Sequence, residues 1–442
     1  MNRKMPRARN GFPPQSPRNL VLLLLLSTVV AWAEPGKAPA PAAPQAAAQD
    51  AVIAIADVHG AYDDFVAILR HTGLIDQQNH WSGGKTTFVQ TGDILDRGPK
   101  PREAMELLMA LEKEAAQAGG RVVPLLGNHE MMNIMGDLRY VTPANYASYA
   151  DGNSEQRQKV AYDEFAKWRA GHAALIAELR QPMELTVTEW MARHPLGYVE
   201  QREAFGPKGK YGEWLRRHDA VAQIGGNIYL HGGIQPDVSK MKIDAINSRI
   251  REEIKTFDTM EAYLQKEKVI LPFFNLQEMV NVLQAEVIAE LKARIPPTDE
   301  KQSKIRDFLK FQEWLSVRVD GPLWFRGYDT WSDEEGAPQA SKVLAAYKAT
   351  HIVVGHTVQK EGRIRPRFGN QVFLIDTGML SSYYPGGRAS ALESCGDSKF
   401  IAVYLDSQAV LVDAGASPAS AAPAATVVPA DRLCTVAAAA AP

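Results

Sequence analysis

The chain is short of several things, and each shortage narrows the field. Only two cysteines, Cys395 and Cys434, occur in 442 residues, so neither a dense disulfide scaffold nor a thiolate metal site can organise the fold. Charge of either sign is not in excess: 49 Lys and Arg stand against 51 Asp and Glu, a formal net of −2. That argues against nucleic acid as a standing partner and against an acidic solvating tail. Long runs of large apolar residues are missing too, apart from Leu20 to Val30 near the N-terminus. With 45% hydrophobic residues, the length suffices for one large or two ordinary domains with a real core.

The single apolar run has a specific setting. Arg3, Lys4, Arg7, Arg9 and Arg18 precede it and Ala31-Trp32-Ala33 ends it. A basic region, a short apolar region and a small-x-small site spell a secretory signal peptide, residues 1–33, cleaved after Ala33. The run is too short and wrongly flanked for a transmembrane helix, with an uncleaved signal anchor as the alternative. A secreted or periplasmic protein is expected, touching membrane only through this signal. In such an oxidising compartment Cys395 and Cys434 are expected to pair, two free thiols being the alternative. Residues 34–50 are an Ala/Pro-rich linker and residues 414–442 an Ala/Pro/Ser-rich tail, which leaves 51–413 as the folded domain.

Within that domain, strand-like runs alternate with helical patterns. Ala51 to Ala56 is a short apolar run, and Ala61 to Thr72 has helical spacing with Phe65, Ile68 and Leu69 on one face. Thr87 to Thr91, a helix over Arg102 to Ala118, and Arg121 to Leu126 follow. Strand–helix–strand–helix–strand predicts a parallel sheet. Residues 131–220 and 238–320 carry long helical patterns, such as Gln156 to Leu179 and Leu276 to Ala293, and read as helical insertions around the short strand Asn227 to Leu230. His351 to Val354 resumes the strands. Val372 to Asp376, Phe400 to Leu405 and Ala409 to Val412 are closely spaced and are expected to be antiparallel, in a second sheet.

The chemistry gathers where strands stop. Gly92-Asp93-Ile94-Leu95-Asp96-Arg97-Gly98 packs two carboxylates and a guanidinium into one tight turn. Two ionised carboxylates so close repel each other, and a bound divalent cation relieves the repulsion; an Asp-rich solvated turn with a local salt bridge is the plainer alternative. Four other strand ends share the pattern: Asp57 with His59, Asn128 with His129, His231, and His356, each with glycine close by. Asp, Asn and neutral His form a mixed oxygen and nitrogen donor set suited to Mn, Fe or Zn. A lone histidine at a strand end is more often structural than a ligand; five coincident strand ends are not explained that way.

Asp57-x-His59-Gly60, Gly92-Asp93-x-x-Asp96-Arg97-Gly98, Gly127-Asn128-His129-Glu130, His231-Gly232-Gly233 and the later His356 resemble the motifs of the metallophosphoesterases, and more narrowly of the phosphoprotein phosphatase (PPP) family. The resemblance spans roughly residues 52–410, in the family's order. Gly136-Asp137-Leu138-Arg139-Tyr140 and Gly355-His356-Thr357 resemble the bacterial Shewanella-like branch. Ala56 departs from the glycine usual before the first Asp, Leu95 from a more usual Val, and no late Tyr-Cys segment is found, although Tyr383 or Tyr384 could line the site.

The resemblance implies an α/β fold, the calcineurin-like metallophosphoesterase αββα sandwich with a helical insertion. It also implies two divalent metal ions, the first held by Asp57, His59 and Asp93, the second by Asp93, Asn128, His231 and His356, with Asp93 bridging. A hydroxide between the ions would attack phosphorus directly, without a covalent phosphoenzyme. His129, held by Asp96, would protonate the leaving oxygen. Arg97 and Arg326 would grip phosphate, although Arg326, in Trp324-Phe325-Arg326-Gly327, could equally pack on a ring; Arg139 is a weaker candidate, or a salt-bridge residue. The expected activity is phosphomonoester hydrolysis on phosphorylated protein or peptide, with phosphotyrosine among the substrates. A small-molecule phosphatase, a dinucleoside polyphosphate hydrolase and a catalytically silent phosphate-recognising metal module are the alternatives.

Overall fold

Strand β1 (Ala51–Ile55) shows how the core is built. Side chains alternate across a strand, so Val52, Ala54 and Ala56 enter one apolar cluster while Ile53 and Ile55 enter another. Because both faces are buried, the strand reads as continuously apolar rather than alternating. The computed structural model describes residues 51–178, 186–294 and 299–414. The signal peptide, the linker, the tail beyond 414 and Cys434 of the expected cysteine pair lie outside the described residues.

Helix α1 (Tyr62–His71) follows β1, then β2 (Thr87–Gln90), helix α2 (Pro101–Gln117) and β3 (Arg121–Pro124). Helix α3 (Asn128–Met135) starts directly after β3. Strands β1, β2 and β3 are parallel neighbours. A second sheet takes β4 (Val221–Ile224), β5 (Asn227–Leu230), β6 (His351–Val354), β7 (Arg365–Arg367) and β8 (Val372–Leu374), in the order β4-β5-β6-β8-β7, with β5, β6 and β8 mutually parallel. Val52, Val89 and Leu392 from one sheet meet Tyr229, Val353 and Phe373 from the other in one buried cluster. The opposite faces pack on helices: Phe65 and Ile68 of α1 and Met105 and Leu108 of α2 share a cluster with Ile53, Ile55 and Phe88. The chain is thus an αββα sandwich.

The last strands differ from expectation. Strands β10 (Lys399–Tyr404) and β11 (Gln408–Asp413) are antiparallel as expected, but together with β9 (Ser390–Cys395), which the sequence pattern does not mark, they extend the first sheet, in the order β11-β10-β9-β1-β2-β3. The reason is that β1 keeps a free edge after pairing with β2, and β9 fills it with Val52 opposite Ser394 and Ala54 opposite Leu392. Only Val372–Leu374 joins the second sheet, parallel to β6.

Among the described residues from Asn128 to Leu215 the regular elements are helical, including Ser154–Gly171, Tyr198–Phe205 and Lys210–Leu215. Long helices Ile243–Lys266 and Leu276–Ala293 follow β5.

Candidate metal centre and phosphate site

Parallel strands in one sheet bring their C-terminal ends to one rim, where open α/β sheets bind ligands. Here β1, β2 and β3 bring Asp57 with His59, Asp93 with Asp96 and Arg97, and Asn128 with His129, while β5 and β6 bring His231 and His356. His59, Asp93, Asp96, Arg97 and His356 all have positive φ, between 47° and 67°. Such backbone costs free energy in non-glycine residues and concentrates at functional sites. The turns also touch backbone to backbone: a Cβ on Gly127 would lie 2.3 Å from Asp93 Oδ1 and 2.5 Å from its nitrogen.

The three histidines that the sequence assigns to metal on His59, His231 and His356 are arranged alike. His59 Nδ1 sits 2.8 Å from the Leu95 carbonyl, His231 Nδ1 3.0 Å from that of Thr91, and His356 Nε2 3.1 Å from that of Trp324. A carbonyl only accepts, so each facing nitrogen carries a proton, and in the neutral ring the opposite one is left with a lone pair. These opposite nitrogens face the carboxylates: His59 Nε2 is 3.6 Å from Asp93 Oδ2 and 3.7 Å from Asp57 Oδ2, beside Arg97 Nη1 at 2.5 Å, and His231 Nε2 is 3.3 Å from Asp93 Oδ2. Asn128 Oδ1 is 2.9 Å from His231 Nε2. Fixing the tautomer from behind in this way is the usual setting of a metal-binding imidazole. Two groups of potential donors result, one of His59, Asp93 and His129, the other of Asp93, His231 and His356, with Asp93 in both.

Electrostatics agree. Burial raises Asp57 well above the usual carboxylate range, and the charges of Asp376 and Asp93 add to it. Burial works to raise Asp93 as well, but His231 and His129 hold it well below the usual value. His231 is pushed up to about 9: burial opposes its charge, and Asp93 and Asp57 outweigh that. Buried carboxylates this close need a cation, and the donor set fits two divalent metal ions.

His129 differs from the others. Its Nδ1 is 2.6 Å from Asp96 Oδ2, and its Nε2 is buried without a hydrogen-bond partner, 3.8 Å from Asp93 Oδ2. Burial opposes its charge, yet Asp93 and Asp96 raise its pKa. A protonated imidazole with a free N–H beside the centre suits proton donation. The same Nε2 lies within reach of the first donor group, where the sequence reading places only Asp57, His59 and Asp93.

A cavity of about 270 Å³ opens over this centre, lined by Asp93, Arg97, His129, Trp324, Arg326 and Tyr384 among others. Arg97 packs against the rings of Tyr140, Tyr383 and Tyr384 at 5.2, 5.2 and 5.6 Å, and its Nη1 also bonds the Tyr384 hydroxyl. Arg326 donates to the His356 carbonyl at 2.9 Å and to Thr357 Oγ1 at 3.0 Å. Arg139 is exposed and paired with Asp137 instead.

Two further carboxylates belong to the site. Asp376 follows β8, is buried, and has its pKa raised to about 6 by burial, with Asp93 adding. Ile375-Asp376-Thr377-Gly378 carries the same strand-end and glycine signature as the other motifs. Glu130 accepts from the backbone N–H groups of Asp93 (2.7 Å), Gly127 (2.8 Å) and Ile94 (2.9 Å), so one carboxylate ties two of the turns together. It stands in a motif already singled out.

Comparison with known proteins agrees with the geometry. Residues 51–360 match the calcineurin-like phosphoesterase family. An uncharacterised protein of Schizosaccharomyces pombe is 29% identical over 80% of this chain and 80% of its own. Shewanella-like protein phosphatase 1 of Plasmodium berghei is 26% identical over 74% of this chain and 67% of its own. The cold-active protein-tyrosine phosphatase of a psychrophilic Shewanella shares the fold, with a TM-score of 0.52 at 24% identity over 82% of this chain and 80% of that one. The chain belongs to the calcineurin-like phosphoesterase family, and is a metal-dependent phosphoric monoester hydrolase.

Proposed function

We infer that this protein is an exported phosphoprotein phosphatase with a dinuclear centre, acting on phosphotyrosine in preference to phosphoserine. The observation that carries the reading is the pocket: His129, with its Nε2 free, and two arginines line it together with Tyr140, Trp324 and Tyr384. Aromatic walls suit an aryl ester through ring packing, whereas an alkyl side chain gains less from them. The relatives named protein phosphatases support a phosphoprotein substrate. Export rests on the basic, apolar and small-residue order of residues 1–33.

Asp57, His59 and Asp93 would hold one ion, and Asp93, Asn128, His231 and His356 the other. Bound there, the ions supply positive charge for the phosphoryl oxygens and lower the pKa of water for in-line attack. The protein's own groups do the rest. Arg97 and Arg326 grip phosphoryl oxygens and align the ester. Asp96 holds the Nδ1 proton of His129, which leaves Nε2–H to protonate the departing oxygen as its bond to phosphorus breaks.

The test is hydrolysis of a phosphotyrosine and a phosphoserine peptide by the mature protein, with and without Mn, beside His129→Ala. Metal-dependent turnover that favours phosphotyrosine and falls by about 10² to 10⁴ in the variant is expected. No turnover of either peptide by metal-loaded protein would replace this reading with a small-molecule phosphatase.

A further inference from the structure

Behind Asp96 the hydrogen bonds continue away from the pocket. Asn133 Nδ2 donates to Asp96 Oδ1 at 3.0 Å, to Asp96 Oδ2 at 3.1 Å and to the His129 carbonyl at 3.0 Å. Gln201 Nε2 donates to Asn133 Oδ1 at 2.9 Å. Asn133 belongs to α3, but Gln201 belongs to the helix Tyr198–Phe205, in the helical segment inserted between β3 and β4. Asp96, His129, Asn133 and Gln201 are each at most 3% exposed, so water is not at hand to replace a lost partner.

The order of donors and acceptors along this line is forced. A carboxylate and a carbonyl can only accept, so Asn133 must turn its NH₂ toward Asp96 and His129. Its oxygen then faces Gln201, and that contact is a hydrogen bond only if Gln201 also presents its NH₂. Gln201 therefore closes the line and holds Asn133 in that orientation. Asn133 in turn fixes both oxygens of Asp96, whose Oδ2 receives the Nδ1 proton of His129.

We propose that Gln201 and Asn133 are positioning residues for proton donation, so that the helical insertion sets the orientation of the Asp96–His129 pair. The inference rests on His129 being the proton donor in the reading above. It differs from a purely packing role because the effect depends on how badly the leaving group needs a proton. Phenoxide is a basic leaving group and needs one, whereas 2,4-dinitrophenoxide departs without it.

The experiment compares kcat/KM for phenyl phosphate and 2,4-dinitrophenyl phosphate on the full, Mn-loaded protein. Both rates come from one preparation, so any misfolded fraction cancels in their ratio. Gln201→Ala is expected to lose about 10-fold on phenyl phosphate, the lower end for partners standing behind a site residue, with a much smaller change on the dinitrophenyl ester. Gln201→Glu is expected to lose more, because a carboxylate there accepts from Asn133 and turns the Asn133 oxygen toward Asp96. In a His129→Ala background, Gln201→Ala should add nothing further to the ratio, since residues acting through one another are not additive.

Equal losses on the two substrates would make the contact structural only and overturn the proposal, as would no loss on either. A split in His129→Ala without one in Gln201→Ala overturns this inference alone. No split in His129→Ala removes the proton-donor reading, and the inference falls with it.

Discussion

Asp93 is tied into the site at every atom that can form a hydrogen bond. Its carbonyl accepts from the N–H groups of Val58 and His59, its Oδ1 from the N–H of His129, and its Oδ2 faces His231. Asp93→Asn keeps the shape and removes the charge on which both donor groups depend. Bound metal, measured by elemental analysis after gel filtration, should fall below one ion per chain, and turnover should fall at least about 10². Glu130 gives a second prediction at this scale. A glutamine there has one accepting oxygen for three backbone donors and sets its own NH₂ against one of them. The desolvated, unpaired group should cost about 1–3 kcal/mol in urea unfolding, with metal affinity weakened because the Asp93 turn loosens.

At the level of elements, the insertion is not merely a cover. Besides Gln201, it supplies His218, just beyond the helix Lys210–Leu215, where Leu126 N–H bonds the Asp219 carbonyl and ties the segment to the end of β3. His218 stands edge-on to Trp214 at 4.4 Å, and neither ring nitrogen has a hydrogen-bond partner. Burial, with Arg217 adding, pushes its pKa down to about 3 from the ordinary 6.5. Between those values the unfolded chain binds the proton and the folded one does not, so stability falls as pH drops from 6.5 toward 3, by about 1.4 kcal/mol per pH unit. His218→Phe removes that proton uptake and the two unpaired nitrogens. Its melting temperature should decline less on acidification than that of the parent protein, measured from pH 7 to pH 4.

For the whole molecule, the metal centre is also a fastener. It joins turns from strands of both sheets, and without cations Asp57, Asp93 and Asp376 face each other in a buried space. Binding confined to the folded state stabilises by about 2.7 kcal/mol at a ligand concentration 100 times Kd. Chelation with EDTA should therefore lower the melting temperature in scanning calorimetry, and excess Mn should restore it. An unchanged midpoint would mean that the two halves of the sandwich do not depend on the ions for their union.

Much of this was legible in the residues because it is local. Asp57 and His59, Asp93 through Arg97, and Asn128 with His129 each lie within five positions, directly after an apolar run of strand length. A strand that stops at a sharp turn carries its polar residues to the sheet's rim wherever the strand lies. The same logic extends to Asp376, the terminal carboxylate of the run Val372 to Asp376. What the tertiary structure decided is which distant segments meet. Arg97 and Tyr384 are 287 positions apart, and Gln201 and Asn133 are 68 apart. Likewise, the apolar runs of β10 and β11 mark them as strands but do not name the sheet, which the free edge of β1 selected through β9. Periodicity encodes which face of an element is buried, while the partner depends on what edges and surfaces the rest of the chain leaves open.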